Sequence, residues 1–466
     1  MSEKSSTSSA NTITRERVDD LSSRQNEPGW LKQERISAWE LYLQMPMPTQ
    51  RDEDWRRTEI DSLSLTGLKT LEFGREKTDS LELPPWFKSA LEHIENPAAI
   101  MALTSSHLWF KPLADHLVAK GVIFCELFEA LVKYPDVVRR CLASDFPGDV
   151  AERLDSKFGL MNKAMFNGGL FLYVPAGVEI ERPFISLTSF DHTSPSASIP
   201  RILVVAEKES KAQLVHIFAS RNDQAVQGKA TVMSLANTLV EIHVADSAKF
   251  DYVEVQNFDS RVFSVNETHN VIAKDAQFYS LTVAMGGAQL KSDIKTVLQD
   301  RGANSDVQGL VLGDGSERFS FNTIQEHNSP DTTSNINFRV ALKDESASIY
   351  QGIIRVAKVA QRTDAYQSNK NLLIGSGARA ESIPKLEILA DDVKCSHGAT
   401  VGPVDREQIF YLMSRGLNAQ EAEELVVIGF FRKVLEDCTI DGVSEWIGDL
   451  VASKIQTQDG SGSSKS

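Results

Sequence analysis

Leu239-Val240-Glu241-Ile242-His243-Val244 alternates so that Val240, Ile242 and Val244 share one face of an extended chain, and that period of two decides the fold. The habit recurs on both sides of it. Upstream stand Leu170-Phe171-Leu172-Tyr173-Val174, Ile202-Leu203-Val204-Val205-Ala206 and Leu214-Val215-His216-Ile217-Phe218. Downstream stand Val253-Glu254-Val255-Gln256, Phe278-Tyr279-Ser280-Leu281-Thr282-Val283 and Leu386-Glu387-Ile388-Leu389. β-branched and aromatic residues dominate, and no long helical period separates the runs, so residues 166–402 are expected to be one β core. A looser repeat puts a small residue two positions before an apolar one: Ala212/Leu214, Ala248/Phe250, Ala276/Phe278, Ala347/Ile349 and, more weakly, Ala303/Ser305. Stacked rungs of a β-solenoid explain it, although a sandwich or jelly roll fits the periodicity equally.

Outward from this core the period changes. Residues 29–165 read as a helical domain, with helices expected over Trp30 to Met45, Pro85 to Ile94, Phe110 to Lys120, and Val122 to Leu142 broken at Pro135. Residues 403–455 return to helix. Asp405 with Gln408 caps the first, Gly416 stops it, and Asn418 with Glu421 forms the capping box of a second, whose apolar positions span more than one stripe. Gly442 to Ile455 offers a third. Residues 1–28 and 456–466 have the composition of disordered tails.

The chain has 466 residues, 41% of them hydrophobic, enough for a substantial core. Its formal net charge of −15 and the lack of a basic patch argue against nucleic acid and anionic membranes as partners. No apolar run approaches the ~20 residues of a membrane span, and the acidic, apolar-poor start is unlike a secretory or transit signal, so a cytoplasmic protein is expected. The four cysteines, Cys125, Cys141, Cys395 and Cys438, are widely spaced and exclude a disulfide framework or a zinc knuckle.

No phosphate-binding Gly-x-x-x-x-Gly-Lys loop, nucleophile elbow or His-Glu-x-x-His is present, so no catalytic residue is assigned and the chain is read as a non-enzyme. Glu326-His327 lacks spaced partners and reads as a surface loop. Asp391-Asp392-Val393-Lys394-Cys395-Ser396-His397 is different, because on a strand Cys395 and His397 project side by side. Thiolate and imidazole suit Fe, Zn or Cu. On these residues alone, a buried cysteine beside a hydrogen-bonded histidine is the favoured explanation, since a cluster needs about four ligands.

The run Lys394-Cys395-Ser396-His397-Gly398-Ala399-Thr400-Val401-Gly402 resembles the SufB/SufD family, the scaffold subunits of the Suf iron–sulfur assembly machinery. So do Asn371-Leu372-Leu373-Ile374-Gly375, Pro384-Lys385-Leu386-Glu387-Ile388, Phe410-Tyr411-Leu412, Ser414-Arg415-Gly416 and Gly429-Phe430. Gly168 to Val178 and Pro48-Thr49-Gln50-Arg51-Asp52-Glu53-Asp54-Trp55-Arg56-Arg57-Thr58 extend the likeness upstream. Where the SufB type carries a cysteine this chain has a residue near Asn369, and where it carries a second glutamate this chain has Gly398; both departures favour the SufD type. The resemblance implies a right-handed parallel β-helix between helical domains. It also implies pairing with a SufB-like paralogue through the end of the β-helix and docking of a SufC-like ABC ATPase on the C-terminal helices. A transient iron–sulfur cluster shared with the paralogue is implied at His397, with Cys395 in a lesser role. Phe410, Tyr411, Arg415, Gly416 and Phe430 are the implied docking residues. A purely structural adaptor is the alternative, and a β-helix carbohydrate-active enzyme a remote one, because Asp391 and Asp392 face opposite sides of a strand. Flavin binding and a homodimer of isolated chains are left open.

Overall fold

A computed structural model describes residues 13–24, 27–74, 76–78, 82–142, 156–191, 194–221 and 233–456. From residue 169 onward, apart from the short Ser196–Ser198 that joins the first sheet beside Ser234–Val244, the strands pass alternately to two sheets. One is ordered Gly169–Val174, Arg201–Ala206, Ser234–Val244, Val262–Ile272, Gln289–Leu298, Arg318–His327, Ala347–Val356, Arg379–Ile388. The other runs Phe184–Asp191, Lys211–Arg221, Lys249–Asn257, Gln277–Ala284, Asn304–Gly313, Thr333–Leu342, Thr363–Leu373, Val393–Pro403. Neighbours along both lists are parallel, so the core is a β-helix rather than a sandwich or jelly roll.

The corners explain the small-residue repeat. Ser247, Asp275 and Gly302 take left-handed backbone at one corner of successive turns, and each is followed by a buried alanine: Ala248, Ala276 and Ala303. Two positions on, Phe250, Phe278 and Ser305 stand in one ladder column. Ala212/Leu214 is two residues out of that register, because Ala212 itself pairs with Phe250. Ala347/Ile349 belongs to the other sheet.

Between the sheets lie the apolar ladders. Val307, Phe321, Phe338 and Tyr350 form one stretch of this core, with Phe338 and Tyr350 rings 5.0 Å apart. Outside the first sheet pack N-terminal helices, Gly29–Gln44 and Lys157–Met165, where buried Arg35 pairs with Glu27 at 2.6 Å and lies 3.8 Å over the Phe166 ring. Outside the second sheet pack Pro85–His93 and the C-terminal helices Ala419–Glu436 and Val443–Gln456, with Val427, Phe431, Trp446 and Val451 against Val215, Val253 and Leu281.

Several expectations change. Part of the expected N-terminal tail, Arg15–Arg24, is a helix that buries Val18 and Leu21; residues 1–12 and 457–466 lie outside the described residues. Helix was expected at Phe110 and at Val122, but His107–Lys111 and Ile123–Glu126 are strands. The first pairs with Ala99–Leu103 and the second, antiparallel, with Gly169–Val174, so tertiary pairing overrides local helical preference. A strap over residues 49–63 leaves the N-terminal layer and crosses the first sheet. Trp55 stacks on Phe158 at 5.3 Å, and Gln289 accepts from the Glu59 amide at 3.1 Å and donates to the Ser62 hydroxyl at 3.0 Å. The strap ends on the last turn, where Arg57 grips Glu381 with two 2.6 Å contacts and Lys385 meets Glu53. Among the described residues no helix is long and apolar enough to cross a membrane.

Candidate functional site

The β-helix ends on two strands that are each hydrogen-bonded along one edge. Val393–Pro403 pairs with Thr363–Leu373, and Arg379–Ile388 with Ala347–Val356; neither has a further neighbour in its sheet. Such an edge presents free N–H and C=O groups to another strand. On Val393–Pro403, Cys395 continues the column of buried Ala365, and His397 continues the column of buried Gln367. The structure therefore puts the two side chains on one face, as their spacing predicts.

Their surroundings differ. His397 is exposed. Cys395 is half-buried against Ile354, Val356, Ala360, Ala365 and Ala390. Burial, aided by the Asp364 charge, pushes its thiol pKa up, which disfavours the thiolate, the form that binds metals. Gly398 points to the other face, where a Cβ would stand 3.2 Å from the Tyr366 hydroxyl. Among the described residues no three His, Cys, Asp or Glu side chains gather where a metal ion could sit.

The helix Arg406–Ser414 begins three residues after this strand and has no buried side chain. Asp405 caps it as the sequence indicates, accepting from the Glu407 amide at 2.9 Å. Phe410 is 73% exposed, and Tyr411 and Met413 are exposed beside it. The Arg415 guanidinium stands 5.1 Å over the Tyr411 ring, and Gly416 at φ +102° ends the helix. Phe430 is placed differently from these. It is half-buried against the outer face of the second sheet, and Arg339 donates to its carbonyl. The box of Asn418 and Glu421 forms as expected, with reciprocal contacts of 2.9 and 2.8 Å.

Glu326-His327 is no surface loop. It closes a strand, and fully buried His327 is held by Thr332 and Ser334 at 2.8 Å each, so that burial lowers its pKa to about 4. Gln367, Asn369 and Asn371 form an inward-facing row of amides directly beneath the last strand, a grouping the sequence reading did not make although it named Asn369 and Asn371 separately. Their period-two spacing was the available signal.

Residues 188–430 match the family described as SUF system FeS cluster assembly, SufBD core domain, and residues 16–185 match the SufBD protein N-terminal region. The chain is 29% identical over 450 residues to iron–sulfur cluster assembly protein SufD of Bacillus subtilis, covering 96% of this chain and 98% of that protein. It is 25% identical over 436 residues to SufB of the same organism, covering 92% and 90%. A SufBD family protein of Pyrococcus horikoshii is 28% identical over 457 residues, covering 96% and 97%.

Proposed function

The chain belongs to the SufBD family of iron–sulfur cluster assembly proteins, and from that membership we propose that it acts as the SufD-type, non-catalytic subunit of an assembly scaffold. The observation that carries this is the open last turn, which presents exposed His397 beside two unpaired strand edges. A SufB-like paralogue adds its own strands there. His397 supplies one imidazole to a nascent cluster whose other ligands come from the paralogue, since one imidazole and one reluctant thiol fall short of the about four donors required. The cluster is cargo, held transiently and passed on.

The helix Arg406–Ser414 docks a SufC-like ATPase through Phe410 and Tyr411. Burying Phe410 in a partner contributes roughly 2 kcal/mol. Because this helix follows the His397 strand after only Val404 and Asp405, displacement of the docked ATPase acts on the strand that carries the ligand. The required coupling is a difference in docking between two nucleotide states.

Reconstitution of the complex with iron and sulfide tests the ligand. His397→Ala is expected to assemble with both partners and to lose most of the cluster absorbance. Full cluster yield in an intact complex would leave the chain a structural adaptor with no ligand of its own.

A further inference from the structure

The two edges of the last turn are unlike each other. In a strand the N–H and C=O of alternate residues point to opposite edges. Arg379 and Leu389 both donate to the turn below, to the Ser346 carbonyl at 3.1 Å and the Val356 carbonyl at 3.0 Å. The odd positions of Arg379–Ile388 are therefore bonded to Ala347–Val356, and the even ones, Ala380, Ser382, Pro384, Leu386 and Ile388, face the open edge. On the other strand Val404 donates to the Leu373 carbonyl at 2.9 Å, and the Thr400 carbonyl accepts from the Asn371 side chain at 3.1 Å. There the even positions are bonded to the turn below, and Val393, Cys395, His397, Ala399 and Val401 face the open edge.

Proline has no N–H. Pro384 therefore breaks the first-sheet row of donors in its middle, while the second-sheet row runs unbroken from Val393 to Val401. Side chains sharpen the difference. Between its open-edge positions the first-sheet strand carries Arg379, Glu381, Lys385 and Glu387. Glu381 is held by Arg57 and Lys385 by Glu53, both from the strap, and Glu387 by Arg355 at 2.7 Å. Proline, charged side chains and a covering segment are the devices that keep a strand edge from being extended. At the corresponding places the second-sheet strand carries Lys394, Ser396, Gly398, Thr400 and Gly402, all uncharged after the first. Among the described residues neither edge has a partner strand, and only the second is fit to gain one.

We infer that of the two edges only Val393–Pro403 takes a strand of the SufB-like paralogue, and that Pro384 closes the first-sheet edge to one. This rests on the scaffold function proposed above and names the edge of the open turn to which the paralogue bonds. The backbone N–H and C=O of His397 lie in the joined row, so the added strand grips the backbone that carries the imidazole from the side opposite Thr363–Leu373. The first-sheet edge meets the paralogue through side chains.

Amide hydrogen exchange on the full chain, alone and with the SufB-like paralogue, tests the assignment. The amides of Cys395, His397, Ala399 and Val401 are expected to slow by about tenfold or more in the complex, and those of Ser382 and Leu386 to change far less. Proline substitution is the second arm. Ala399→Pro removes an open-edge N–H and leaves the bonds to Thr363–Leu373 in place, and Ser382→Pro does the same on the first-sheet edge. Ala399→Pro is expected to weaken paralogue binding about tenfold, and Ser382→Pro to leave it within about twofold, with urea midpoints of the isolated variants checking that each is folded. The exchange arm needs no variant and stands if either fails to fold. Equal slowing at the two edges, or equal affinity of two folded variants, would overturn the assignment and leave the scaffold function standing. Slowing along Val393–Pro403 that follows the chain's own concentration and ignores the paralogue would give the edge to a second copy and overturn the paralogue as its occupant. A wild-type chain that binds no paralogue would overturn both.

Discussion

Trp446 donates its indole N–H to the Trp86 carbonyl at 3.3 Å, joining helices 360 positions apart in the chain. The C-terminal helices therefore fold back on the β-helix and meet the N-terminal region there, instead of standing as a separate unit. Trp446 is fully buried, so Trp446→Ala is expected to cost about 3–5 kcal/mol in urea unfolding. Limited proteolysis is expected to release residues 403–456 from the variant first.

Phe410→Ser with Tyr411→Ser is the complementary change. Both side chains are exposed, so stability is expected to stay within about 0.5 kcal/mol of wild type. Co-purification of the ATPase is expected to be lost. Retention of the ATPase at full stoichiometry would place docking elsewhere.

The strap is held by exposed charges, and each is worth little alone. Arg57→Glu is expected to cost about 0.5–1 kcal/mol, toward the upper end of surface pairs because the Arg57–Glu381 contact is a fork. The double exchange Arg57→Glu with Glu381→Arg is expected to recover most of that loss. A double-mutant cycle read at low and high salt checks it, with a coupling that fades as salt rises.

Glu267 gives a pH dependence of defined sign. It is buried on the outer face of the first sheet, accepting from the Ser156 hydroxyl, and desolvation raises its pKa from 4.5 to about 7. Between those values the native state holds a proton that the unfolded state has released. Its contribution to stability is thus fully present below 4.5 and is lost as pH rises through about 7. Glu267→Gln is expected to flatten that part of the profile. Denaturation midpoints at about pH 5 and about pH 7.5 measure it, and equal slopes in the two proteins would contradict the assignment.

The strands and the pairing of Cys395 with His397 were legible because period two is a local property of a few residues. The caps at Asp405 and Asn418 were legible for the same reason. Strands Ile123–Glu126 and His107–Lys111 were not, since what makes them strands is a partner elsewhere in the chain. The order of the turns was half legible. The corner at Asp275 leaves a trace in Ala276, but nothing in the sequence says that Ala212 belongs two residues further along its turn. Asn369 was visible as a letter, but its place in a buried amide row was not, because it accepts from Asn371, which is itself held by the Thr400 carbonyl on the next strand.

The strap also sets a timetable. Arg57 leaves the ribosome 324 residues before Glu381, and Glu53 leaves 332 before Lys385. At ordinary synthesis speeds of roughly 5–20 residues per second, the strap waits for tens of seconds without its final anchors. Turns of the β-helix can stack in order of emergence during that interval, each on the one before. An early segment is consequently among the last to be fastened, and it is fastened to the open last turn. A truncated nascent chain therefore carries its own mark of incompleteness, a strap without its final anchors, before the open strand edges of the last turn exist.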